Sequence, residues 1–123
     1  MEFFATVAEA WTEDRLVDAL TIGNLPARCA SITEVVNLIS DDEGILYTVW
    51  GEFRVLRSRI RGGLRFWMPH CPNAAAWTIT TGLPPDPTAT VVHCTINRQD
   101  HDADFIDSLH DFVDDWRAGL TVG

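Results

Sequence analysis

Apolar residues recur along this chain in two rhythms. Near the end, Phe105, Ile106, Leu109, Phe112, Val113, Trp116 and Leu120 stand three or four positions apart, while Asp104, Asp107, Asp111, Asp114 and Asp115 fall between them. That spacing lays one apolar stripe along a helix and predicts an amphipathic helix over residues 102–119, capped by Asp100 or Asp102 and ended by Gly119. A second, shorter helix is predicted from Thr12. Its hydroxyl is placed to cap, Glu13 and Asp14 suit the positive end of the helix dipole, and Trp11 and Leu16 occupy the staple positions. Leu16, Val17 and Leu20 then share a face, with Gly23 as the stop.

Between these helices the residue types change to Val, Ile, Thr, Tyr, Phe and Trp, and the rhythm shortens to that of strands. Residues 32–39 form one run, residues 40–44 a hairpin loop, and residues 45–60 a long second run. In that run the apolar positions are odd through Val55 and even from Leu56, so a bulge or break is needed, and Gly51 is the natural place for it. Residues 75–81 and 88–96 read as a further hairpin across the Pro-rich loop 82–87. Residues 2–7 fit an edge strand better than the capping box that Thr6 and Glu9 would make.

The turn at Arg61-Gly62-Gly63 sets which side chains share a face. A two-residue loop would put Leu56 and Ile60 with Arg65 and Trp67, and Arg57 and Arg59 with Leu64, Phe66 and Met68, leaving charge on both faces. A three-residue loop puts the apolar residues on one face and Arg57, Arg59, Arg65 and Trp67 on the other. The second arrangement separates charge from core and is the one expected. The fold predicted is α+β: an antiparallel sheet of five to seven strands packed against the C-terminal amphipathic helix, with a short N-terminal helix, in a single domain spanning residues 1–123.

Composition narrows the functional classes. The formal charge is −9, and all nine basic residues are arginine. Such an excess of carboxylate repels phosphate backbones and anionic lipid, so neither nucleic acid nor membrane is an expected partner. The N-terminus lacks the basic stretch and apolar run of a secretory signal, and three cysteines without a CxxC are a poor disulfide framework. A cytoplasmic location with reduced thiols is the reading these features support.

Few residues suggest chemistry. The dipeptides His70-Cys71 and His93-Cys94 carry soft ligands, but neighbours on a strand face opposite ways, so a metal would need one ligand from each pair. His70, Cys71, His93 and Cys94 are therefore weak metal candidates, and the expectation is that no metal or other cofactor is bound. Cys71, in a bend beside two prolines, matches no nucleophile motif, and the sequence has no phosphate loop, GxSxG or HExxH. No catalytic residue is assigned. The arginines are more informative, because five of the nine lie between Arg54 and Arg65. Arg57, Arg59, Arg61 and Arg65 with Trp67 would form a face suited to carboxylates and to stacking. The expected function is a binding or accessory module that uses this face toward an acidic protein surface or in a homodimer, the acidic C-terminal helix of a second copy supplying the counterpart and salt weakening the contact. The alternative is a small-ligand or metal-binding protein, or an enzyme, with a site between sheet and C-terminal helix near His70, Cys71 and His93.

Overall fold

A computed structural model describes residues 1–121 apart from Ala10, Pro85 and Arg98. Seven strands form one antiparallel sheet: β1 (Glu2–Val7), β2 (Ile32–Ser40), β3 (Glu43–Thr48), β4 (Gly51–Ile60), β5 (Gly63–Trp67), β6 (Ala76–Thr81) and β7 (Thr90–Thr95), in the order β1-β7-β6-β5-β4-β3-β2. The chain starts at one edge, crosses the sheet through helices α1 (Glu13–Ala19) and α2 (Leu25–Arg28), and returns as a six-strand meander. The last helix, α3 (Ala103–Leu120), packs on the same face as α1 and α2.

The predicted helix stripe is the core. Leu109, Phe112, Val113, Trp116 and Leu120 are buried, and they meet the strand residues that alternate inward, including Phe66, Trp77, Ile79 and Val92. Phe66 and Trp77 stack with ring centroids 5.3 Å apart, and Phe112 meets the Trp77 ring edge-on at 4.9 Å. Asp102 caps α3, accepting from the Asp104 amide. Gly119 does not end this helix, which runs to Leu120. A Cβ at Gly119 would lie 1.5 Å from the Arg28 carbonyl oxygen, so glycine here allows α2 and α3 to approach closely.

Thr12 caps α1 as expected, accepting from the Arg15 amide at 3.2 Å. The helix stops at Ala19, earlier than Gly23, and a 3₁₀ turn (Ile22–Asn24) leads into α2. With only four residues, α2 carries no periodic signal to be read.

Residues 45–60 are not one bulged strand. The chain reverses at Val49-Trp50, where the Thr48 hydroxyl accepts from the Trp50 amide and donates to the Gly51 carbonyl. Gly51 has φ +118°, so the glycine does mark the break, but as the end of a hairpin. The reversal switches the inward parity from even in β3 (Leu46) to odd in β4 (Val55), and the later change from Val55 to Leu56 arises because both faces of β4 carry apolar residues.

The next turn also differs from expectation. Ile60 pairs with Gly63 and Arg59 with Leu64, which makes Arg61-Gly62 a two-residue loop with Gly62 at φ +83°. Arg57 and Arg59 therefore stand on the helix-covered face with Leu64 and Phe66, and Arg65 and Trp67 stand on the opposite face with Leu56 and Ile60. The rule that segregates charge from core fails here because the covered face supplies its own acceptors.

Candidate functional site

The five residues expected on one face are divided by the sheet. Arg57 reaches under α1, where its guanidinium donates to the carbonyls of Val17 (2.7 Å) and Leu20 (3.2 Å) and to the Asp42 carboxylate (2.8 Å). Its side chain is only 8% exposed. The last carbonyls of a helix lack partners within it, and a planar fork of donors satisfies two of them while pairing its charge. Arg59 lies further out and donates to both Glu13 (2.5 Å) and Asp14 (2.8 Å) in the first turn of α1. The Glu13 carboxylate also accepts from the Gly62 amide at 2.7 Å. Arg59 chiefly, and then the Gly62 amide, hold the Glu13 carboxyl below its usual value, while Glu13 raises the Arg59 guanidinium. These two arginines fasten α1 to the β4–β5 hairpin and are already paired.

Arg65 and Trp67 remain on the open face. The Arg65 guanidinium stacks on the Trp67 ring, 4.8 Å from its centroid. Trp67 is the cross-strand partner of Leu56, and β3 continues the surface with Ile45 and Tyr47, the latter 48% exposed. Arg54 on this face is paired with Glu43, and Arg61 is exposed at the turn. The other half of the face is richer in threonine, with Thr6, Thr78, Thr80 and Thr95. There Phe4 stacks on His93 at 4.3 Å, and His93 meets the Glu2 carboxylate at 3.0 Å. No helix covers this face among the described residues. Leu56 and Ile60 were absent from the expected site because their parity was assigned to the core; their alternation with Arg57 and Arg59 was the signal that both faces carry apolar residues.

Sheet geometry also separates the His-Cys pairs. Cys94 is buried under α3, whereas His93 points to the open face. His70 is exposed in the β5–β6 loop, and Cys71 in the same loop is half-buried. Among the described residues, no group of three His, Cys, Asp or Glu side chains is placed to hold a metal ion. Burial pushes the thiols of Cys29 and Cys94 up to about 12, so both are protonated near neutrality.

One cavity lies between sheet and α3; Cys71 lines it, whereas His70 does not and His93 is on the other side of the sheet. It has a volume of about 270 Å³. Trp50 from the β3–β4 turn, Phe53 from β4, and Phe105 and Leu109 from α3 form its apolar walls, and Cys71, Asn73 and Ala75 of the β5–β6 loop complete it. The Trp50 indole donates to the Ser108 hydroxyl at 2.8 Å, which ties the turn to α3. Asn97 holds the loop, its amide donating to the Asn73 carbonyl and its side chain to the Pro72 carbonyl. Ala74 is kept at φ +53°, a conformation that alanine adopts only when its surroundings impose it.

Neither a family profile nor a curated protein sequence matches this chain. Solved structures do share its fold. The protein XoxI from Bacillus cereus aligns over 98% of this chain and 92% of its own, with a TM-score of 0.67 and 11% identity. An uncharacterised protein from Bacillus thuringiensis aligns over 98% and 95%, with a TM-score of 0.63 and 11% identity. At that identity the likeness establishes the arrangement of strands and helices and carries no activity with it. No helix among the described residues is long and apolar enough to cross a membrane.

Proposed function

We propose that this protein is a non-catalytic, cytoplasmic binding module that works as a homodimer, two copies packing open sheet face against open sheet face. The observation that carries this reading is the half of the sheet with no helix above it, where Leu56 pairs with Trp67 and Ile45, Tyr47 and Ile60 stand on the same face among Glu43, Glu52, Arg54 and Ser58. Tyr, Trp and Arg are the residue types that interfaces favour, and Arg65 over Trp67 supplies two of them. Size supports it as well. Seven strands at ~4.8 Å spacing and six residues at ~3.3 Å rise give roughly 650 Å² of flat footprint before side-chain relief, within reach of the ~800 Å² per partner typical of specific interfaces.

The contact differs from one between Arg face and acidic helix. Asp104, Asp107, Asp111 and Asp114 are exposed on α3, on the far side of the sheet from Arg65 and Trp67, and Asp115 accepts from the buried Ser31 hydroxyl at 2.6 Å. Joining those two surfaces would stack copies front to back without closing, whereas face-to-face packing closes as a symmetric pair. Salt separates this reading from capture of an acidic partner. Two copies each carrying −9 repel, so screening should strengthen the homodimer. An acidic partner held by Arg61 and Arg65 would be released.

Sedimentation velocity of the parent and of a Leu56→Glu, Trp67→Glu variant tests the proposal. The parent should sediment as a dimer that tightens with salt, and the variant as a folded monomer. A parent that stays monomeric at all salt concentrations and protein loadings would defeat the proposal, as would a dimer indifferent to the two substitutions.

A further inference from the structure

The cavity bounded by Trp50, Phe53, Cys71, Phe105 and Leu109 lies on the opposite side of the sheet from the proposed dimer face, so the two can be judged separately. No charged side chain lines it, and its polar side chains are Cys71 and Asn73, both from the β5–β6 loop. The Trp50 indole N–H is already committed to Ser108, and the Ser108 hydroxyl to the Phe105 carbonyl. A ligand in this space therefore finds aromatic walls and, along one side, a thiol and a carboxamide.

We infer that this cavity is a binding site for a small, uncharged aromatic molecule of one or two fused rings bearing at most one hydrogen-bonding group. Volume sets the upper size, since an apolar cavity of ~150 Å³ takes up benzene and about 270 Å³ leaves room for a second ring. The missing countercharge sets the class, because an ionised group would give up its hydration here without a partner. The walls are also held in place before any ligand arrives: Asn97 braces the loop through the Asn73 and Pro72 carbonyls, and Trp50 is bonded to α3. Pre-formed walls are a general property of small-molecule sites, because they limit the ordering cost of binding.

Indole, with indole-3-carboxylate as its charged counterpart, is the probe that tests the inference on the full chain. In a ¹H–¹⁵N titration, indole should give saturable shifts at the Trp50 side-chain N–H and at the amides of Asn73, Ala75 and Phe105, and indole-3-carboxylate should bind roughly tenfold more weakly or worse. Iodoacetamide gives an independent readout. Cys29 and Cys94 are buried and protonated, so alkylation reports Cys71. Saturating indole should slow that alkylation, and protein already carbamidomethylated at Cys71 should lose the indole shifts while keeping its melting temperature. Cys71→Phe, which fills the same space from the loop, should do likewise. Shifts that do not saturate, that centre on Leu56 and Trp67 of the open face, or that persist in the capped protein would overturn the inference, as would equal binding of the carboxylate.

Discussion

The two faces of the β4–β5 hairpin carry the same residue types to different ends. On the covered face, Arg57 and Arg59 follow the core residue Val55 and find acceptors in two carbonyls at the end of α1, in Glu13 and Asp14 of its first turn, and in Asp42 of the β2–β3 turn. On the open face, Arg65 lies against Trp67, with Leu56 and Ile60 alongside and no helix above them. An arginine beside apolar residues thus marks a fastening in one place and an uncovered surface in the other. What separates them is whether another element brings acceptors to the guanidinium.

Tryptophan substitutions should break the comparison most visibly. Trp116 is fully buried and lies against Phe66 and Phe112, so Trp116→Ala should cost about 3–5 kcal/mol of stability. Trp67→Ala, on the open face, should cost roughly 1 kcal/mol or less in the monomer, since its site neither collapses nor becomes a cavity. Urea denaturation of both variants checks this; equal losses would mean that the open face is covered in solution by something already part of the folded unit.

Arg57 should come next. Arg57→Met keeps most of the buried stem but strips the donors from the Val17 and Leu20 carbonyls, and the unmade hydrogen bonds should cost about 1–3 kcal/mol. Arg57→Lys should recover only part of that, because one ammonium cannot reproduce the planar fork across two carbonyls and a carboxylate. A lysine variant with the parent's urea midpoint would show that charge alone, without fork geometry, anchors α1.

The smallest expected effect is a change of shape in the acid limb of stability. Because Arg59, followed by the Gly62 amide, depresses the Glu13 carboxyl in the folded state, the contribution of this contact is complete above the ordinary value of 4.5 and is lost as pH falls through the depressed one. Glu13→Gln should remove that dependence, and added salt should mimic the loss since the pair is exposed. Melting temperature followed from neutral to acidic pH distinguishes the variant from the parent; parallel curves would show that Glu13 and Arg59 do not fasten the hairpin.

Much of the architecture was legible because it rests on local periodicity. The α3 stripe, the Thr12 cap, the strand at residues 2–7 and the antiparallel character of the middle of the chain all follow from spacing and cap chemistry within a few residues. The hairpin at Val49-Trp50 was hidden because its two central residues are apolar and β-forming, and the turn is stabilised by the Thr48 hydroxyl rather than by a turn dipeptide. Helix α2 was hidden by its shortness. The walls of the cavity could not be read: Trp50 and Phe53 of the β3–β4 hairpin, Cys71 of the β5–β6 loop and Phe105 of α3 come from three separate segments, and only their meeting encloses space.

Sequence by itself determined the helices that begin near Thr12 and Asp102, the strand character of the middle of the chain, that the sheet is antiparallel, and which stripe of the last helix enters the core, because each of these is decided by near neighbours. It did not determine the face on which each arginine of the β4–β5 hairpin stands. In that hairpin both parities hold arginine and apolar residues, so the local pattern permits either register. The choice fell to the tertiary structure, where the free carbonyls at the end of α1, some forty residues back in the chain, meet Arg57 and make a buried charge favourable at that position.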